Sequence, residues 1–172
     1  MPDGKEAAMF TPELVTEAER LLAGLRARRW KLATAESCTG GLIAGLLTEI
    51  AGSSDVFERG FVTYSNAAKI GDLGVDFDTL YRHGAVSAEV AREMAAGALR
   101  ASAADAAVAV TGIAGPAGGS AEKPVGLVHI GLALRGKPAL SREFRFGNLG
   151  RSEIRLQTVT EALAMLARGL AA

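Results

Sequence analysis

Glu36-Ser-Cys-Thr-Gly-Gly41 sets a hydroxyl beside a thiol just ahead of two glycines. Ser37 is a candidate nucleophile there. A turn that opens a helix presents free N–H groups, at Cys38, Thr39 and Gly40, and a positive dipole end to an oxyanion or phosphate. The same residues also suit an ordinary strand-to-helix turn, with glycines bending the chain and Ser or Thr as cap. The G-x-S-x-G pattern of a lipase-type elbow is absent. Cys38 is a rival nucleophile, but a lone buried cysteine is ordinarily an inert small hydrophobe. No local pattern pairs it with His83, in a Gly-flanked loop, or His129, mid-strand in Leu-Val-His-Ile-Gly.

Without a usable histidine, lysine is the known alternative base. The chain has five lysines. Lys5 lies near the start, Lys31 begins a strand, Lys137 sits in a hairpin turn and Lys123 in a long loop. Lys69, five residues after a strand ending at Tyr64, is the best placed. At a pKa of about 10.4 fewer than about one lysine in a thousand is neutral at pH 7, so a basic Lys69 needs strong desolvation or positive potential. As a solvated helix residue it would have neither. Tyr64 can relay or position a proton, or simply pack. Thr111-Gly-Ile-Ala-Gly-Pro-Ala-Gly-Gly119 has the look of a phosphate or substrate loop but matches neither GxGxxG before a helix nor GxxxxGK[ST]. Arg151 and Arg155 share a face at i and i+4 where the last helix begins, an anion site or plain surface.

The elements that position these residues follow from period and punctuation. Thr11-Pro12-Glu13 starts a helix that runs to about Arg28. Strands are expected at 31–35, 60–64 and 105–111, and a hairpin at 125–134 and 139–146 around Arg135-Gly-Lys-Pro138. Helices are expected at 40–50, around Lys69 (capped by Ser65 or Asn66), at 88–101 and at 152–170, with little signal between Gly74 and Ser87. Strands alternating with helices, then a hairpin, give a single three-layer α/β/α domain with a mixed, partly parallel sheet. If the first three strands are parallel, ESCTGG, YSNAAK and TGIAGPAGG leave one sheet edge, where open α/β sheets bind ligands.

Composition narrows the classes. A chain of 172 residues, 49% hydrophobic, suffices for one domain, taken as 11–172 behind a flexible leader at 1–10. Nineteen basic residues balance nineteen acidic ones, which with one Trp, two Tyr and six Phe argues against nucleic acid as a partner. The single cysteine forms no internal disulfide, no Cys/His cluster has metal-site spacing, and no apolar run spans a bilayer. A cytoplasmic protein without a membrane partner is expected.

Thr34-Ala-Glu-Ser-Cys-Thr-Gly-Gly41, Ala51-Gly-Ser-Ser54, Glu58-Arg-Gly-Phe-Val-Thr-Tyr-Ser-Asn66 with Lys69, Gly84-Ala-Val-Ser87, Thr111-Gly-Ile-Ala-Gly-Pro116 and Lys123-Pro-Val-Gly126 together resemble the CinA C-terminal domain family, from about residue 12 to 168. The resemblance implies hydrolysis of the nicotinamide mononucleotide carboxamide to nicotinic acid mononucleotide and ammonia, with no cofactor or metal. It implies a homo-oligomer, expected to be a dimer, and the stand-alone form of a family whose longer members carry another domain. By motif, Ser37 matches the nucleophile, Lys69 the base, Tyr64 an assisting tyrosine and Ser54 a serine near the lysine. Cys38, Thr39, Gly40, Asn66, Thr111, Gly112, Gly115 and Arg151 are expected at the oxyanion or substrate. Asn148-Leu-Gly150 departs from the Gly-Asp-Arg pattern before Arg151, and Gly71-Asp-Leu-Gly74 from a bulkier apolar run. The alternative is a non-catalytic nucleotide-binding or regulatory module tied to competence or DNA damage.

Overall fold

The computed structural model describes residues 8–172. Thr11 caps α1 (Pro12–Ala27), its hydroxyl accepting from the Leu14 N–H. There follow β1 (Leu32–Glu36), α2 (Leu42–Glu49), a 3₁₀ turn (Ser53–Asp55), β2 (Phe57–Val62), α3 (Asn66–Leu73), α4 (Phe77–His83) and α5 (Ala88–Arg100). β3 (Ala106–Gly112), β4 (Leu127–Leu134), β5 (Leu140–Arg145) and α6 (Arg151–Ala171) complete the chain. The strands form one sheet in the order β2-β1-β3-β4-β5. β1 pairs parallel with both β2 and β3; the β4–β5 pair is antiparallel, as the hairpin pattern predicts, and β3–β4 is antiparallel as well.

Strand alternation sends opposite residues to two unlike cores. Val108, Val110, Ile130 and Leu132 pack with Leu22, Leu25, Leu46 and Leu166 from α1, α2 and α6. The other face offers Ala33, Ala35, Ala107, Ala109 and Ala133 to Met94, Ala95 and Ala98 of α5 and Leu73 of α3. Those small residues let α5 lie close: a Cβ on Gly131 would stand 2.0 Å from the Ala91 carbonyl oxygen. A close-packed α5 holds the Gly84–Ser87 segment that leads into it against the C-terminal end of β3, through the Thr111 hydroxyl donated to the Ala85 carbonyl at 2.8 Å.

Three sequence expectations shift. The second strand occupies 57–62 rather than 60–64, which leaves Thr63 and Tyr64 beyond the ladder with carbonyls free for other donors. The quiet stretch after Gly74 contains α4, capped by Asp76, whose carboxylate accepts from the Asp78 and Thr79 N–H groups. Phe77 and Tyr81 on that helix are exposed and only Leu80 is buried, so no inward apolar period marks it. Residues 1–7 of the expected leader lie outside the described residues, but Phe10 is 5% exposed and packs in the core, so the leader does not extend to residue 10. Among the described residues no helix is long and apolar enough to cross a membrane.

Candidate active site

β1, β2 and β3 deliver three segments to one edge of the sheet. After β1 the chain turns sharply at Gly40 (φ +58°) and Gly41 (φ +102°), values that side chains rarely tolerate. The turn is held from inside by Glu36. This carboxylate, wholly buried, accepts from the Thr39 hydroxyl at 2.6 Å, the Ile43 N–H at 2.8 Å and the Ala44 N–H at 3.0 Å. A carboxylate thus satisfies the open N–H groups at the start of α2, where the helix dipole favours negative charge. From outside, Arg155 of α6 donates to the Cys38 carbonyl at 3.1 Å and the Thr39 carbonyl at 3.0 Å.

Beyond β2, Ser65 caps α3 through the Ala68 N–H. Leu73 is buried at the helix end and Gly74 closes it with φ +65°, so the unusual Gly71–Gly74 segment still forms and anchors the helix. Its Lys69 is 1% exposed. The Nζ lies 3.0 Å from Ser37 Oγ and donates to the Thr63 carbonyl at 2.7 Å, with the Tyr64 carbonyl at 3.4 Å. Burial pushes the lysine pKa down from its ordinary value, and a weaker charge effect from Cys38 opposes this. No carboxylate pairs with Lys69 among the described residues. The Cys38 thiol is buried too, and desolvation raises its pKa to about 11, far from thiolate chemistry at neutral pH.

Ser37 and Lys69 open on a cavity of about 240 Å³. Cys38, Tyr64, Asn66, Thr111, Gly112 and Arg151 also line it, with Ala85, Val86 and Ala114 as its apolar wall. Arg151 enters from the first turn of α6, donating to the Gly115 carbonyl at 2.8 Å and to the Tyr64 hydroxyl at 3.0 Å. Neither partner is a carboxylate, which leaves its positive charge available to an anion.

Four of the residues expected at the site stand elsewhere. Ser54 is exposed in the turn before β2, whereas Lys69 follows that strand; the six residues of β2 put about 20 Å of strand between the two ends. Thr39 is buried and bonded to Glu36, away from the cavity. The Gly40 N–H is already donated to the Ser37 carbonyl at 3.1 Å, so it is not an oxyanion donor. Gly115 holds Arg151 through its carbonyl rather than lining the cavity. Tyr64 does line it, but its hydroxyl bonds Arg151, and only its backbone carbonyl meets Lys69. Glu36 and Arg155 went unassigned or misassigned because their partners are peptide groups, which sequence does not display; acid three residues before Thr39 was the one local signal for Glu36.

Among the described residues no cluster of three or more His, Cys, Asp or Glu is placed to hold a metal ion.

The family model of the CinA C-terminal domain matches residues 15–170. The chain is 55% identical over 141 residues to the nicotinamide-nucleotide amidohydrolase PncC of Enterobacter agglomerans, covering 82% of this chain and 85% of that protein. It is 51% identical over 159 residues to PncC of Escherichia coli K12, covering 92% and 95%. A putative competence-damage inducible protein of Moorella thermoacetica is 51% identical over 148 residues, of which this chain covers 35% of the length. Among solved structures, the competence/damage inducible protein CihA of Agrobacterium tumefaciens matches with a TM-score of 0.93 and 55% identity, over 96% of this chain and 99% of that one. With fold and sequence in agreement along nearly its whole length, the chain belongs to the CinA C-terminal domain family.

Proposed function

We propose that this protein is an amidohydrolase that converts nicotinamide mononucleotide to nicotinic acid mononucleotide and ammonia through an acyl-Ser37 intermediate. The reaction named for its PncC relatives, which match it over most of both lengths, supports the substrate. The observation that carries the mechanism is the 3.0 Å contact between Ser37 Oγ and the buried Lys69 Nζ. A neutral lysine amine has two hydrogens and one lone pair. The Thr63 and Tyr64 carbonyls accept the hydrogens, and the lone pair then faces the Ser37 hydroxyl.

Lys69 takes the Ser37 proton as Oγ bonds to the carboxamide carbon. The resulting oxyanion takes a hydrogen bond from the Cys38 N–H, which has no backbone acceptor among the described residues. The donor is the residue after the nucleophile, as in α/β-hydrolases. Lys69 then passes its proton to the amide nitrogen, the C–N bond breaks and ammonia leaves. A water attacks the acyl carbon, giving one proton to Lys69, which returns it to Ser37 Oγ as the carboxylate product departs. Arg151 supplies positive charge for the nucleotide phosphate, and Asn66, Thr111 and Gly112 contact the substrate. Remote binding of this kind orients the amide for attack. A homodimer belongs to the same proposal and is read by sedimentation.

The test is ammonia release from nicotinamide mononucleotide by the purified protein in the presence of a chelator. Release is expected. Tight nucleotide binding without release would replace the enzyme by a non-catalytic nucleotide-binding module.

A further inference from the structure

Cys38 carries the proposed oxyanion donor, and both peptide planes that flank it are pinned. The plane before it is held by its Ser37 carbonyl, which accepts from the Gly40 N–H at 3.1 Å. The plane after it is held by its Cys38 carbonyl, which accepts from Arg155 Nε at 3.1 Å. A second arm of the same guanidinium takes the Thr39 carbonyl at 3.0 Å. A peptide is planar and its C=O and N–H point in opposite directions, so fixing each carbonyl fixes where the neighbouring N–H points. The first pin is local, made within the turn. The second comes from 117 residues away, on another helix.

The turn also has supports of its own. Glu36 already satisfies the start of α2, and the Gly40 N–H already closes the turn. Arg155 makes no contact with the cavity, forms no ion pair among the described residues, and spends a forked cation on two backbone oxygens. We propose that Arg155 is a positioning residue for catalysis: by clamping the Thr39 carbonyl it fixes, across that peptide, the Gly40 N–H that holds the Ser37 carbonyl, and so aims the Cys38 N–H, which shares the Ser37 carbonyl's peptide plane, at the oxyanion formed on attack by Ser37. The inference rests on the acyl-serine reading above. Its sibling one turn earlier, Arg151, faces the cavity, so the two arginines of α6 divide between substrate and backbone.

The experiment compares wild type with Arg155→Met and Arg155→Lys, each checked by thermal melt. Two readouts are taken: steady-state ammonia release from nicotinamide mononucleotide, and the rate at which an arylsulfonyl fluoride modifies Ser37, followed by intact mass. In the second reaction the Oγ–S bond forms, fluoride leaves and Lys69 takes the proton, so it needs the oxyanion donor but not the nucleotide. Arg155→Met is expected to lower kcat by about 10²-fold, the loss typical of a displaced oxyanion donor, with KM nearly unchanged and sulfonylation slowed in parallel. The pH at half-maximal rate stays where Lys69 puts it. Lysine, a point charge without the fork, restores only part of the rate.

A wild-type kcat in folded Arg155→Met would overturn the proposal. So would a loss confined to KM, which would make Arg155 a substrate contact, or a moved pH midpoint, which would make it a modulator of Lys69. Full activity in Arg155→Lys would overturn it as well, and that variant decides the matter if Arg155→Met does not fold. No ammonia from the wild type, with sulfonylation still slowed by the substitution, would sink the substrate reading and leave the positioning role standing.

Discussion

Two clefts flank the Gly84–Ser87 segment, sharing Val86, and each is lined by a buried base. In one, Lys69 is 1% exposed; in the other, His129 is 6% exposed, and burial lowers the pKa of both. What they touch separates them. Lys69 has a hydroxyl at 3.0 Å and carbonyls at 2.7 and 3.4 Å. Among the described residues His129 has no partner for Nδ1, and its Nε2 stands 3.8 Å from the Glu143 carboxylate, too far for a hydrogen bond. Around it Glu89, Glu122 and Glu143 mix with Lys123 and Arg145, whereas the lining of the first cleft holds Arg151 and no carboxylate among the described residues. Burial alone creates a base that prefers to be neutral. Chemistry needs that base against a nucleophile, in a field of one sign.

The largest expected effect is on the first cleft's pair. Ser37→Ala and Lys69→Met each lower kcat/KM by about 10⁴-fold or more, and the double variant loses little beyond either one, since the two act as a unit. Ammonia release by the double-mutant cycle checks this; additive losses would mean that the two residues work separately.

An intermediate effect is the pH response of Lys69. Unfolded, its ammonium keeps the proton up to about pH 10.4, while in the folded chain burial makes it release the proton at lower pH. Between the two values the folded chain binds fewer protons, so Lys69 costs stability increasingly as pH falls from about 10.4, and the cost levels off below the folded value. Lys69→Met therefore melts above the wild type, by a margin that grows as pH falls and vanishes near pH 10.4. The wild-type rate rises with pH to a plateau whose midpoint lies below 10.4. A midpoint at the ordinary lysine value would contradict the buried base.

The smallest effect is expected in the second cleft. His129→Leu leaves kcat within about twofold of wild type and leaves the melting temperature equal or higher, because an unsatisfied buried nitrogen costs about 1–3 kcal/mol. Any gain widens below about pH 6.5, where the wild-type imidazole must take up a proton against its burial. A tenfold fall in kcat would join the two clefts into one machine.

What could be read along the chain is what neighbours in sequence decide. Thr11, Ser65 and Ser87 cap α1, α3 and α5 because a hydroxyl reaches an N–H three residues on. The apolar run at 105–111 announced a buried strand, and the turn at Arg135–Pro138 announced the hairpin. The α4 helix escaped because its large residues face solvent, so cap chemistry at Asp76 was its one signal. Ser54 was set beside the lysine by its motif, and the direction of β2 carried it to the other end of the strand.

The sequence by itself therefore determined the elements, their alternation and the residue types at their ends, since these follow from contacts a few residues long. Tertiary structure alone decided which ends meet. Parallel pairing of β1 with β2 and β3 brings Ser37 to Lys69 across 32 residues and buries the lysine amine. The docking of α6 brings Arg155 to the Cys38 carbonyl across 117. Desolvation and peptide orientation are properties of the packed assembly, and no local pattern of side chains encodes them.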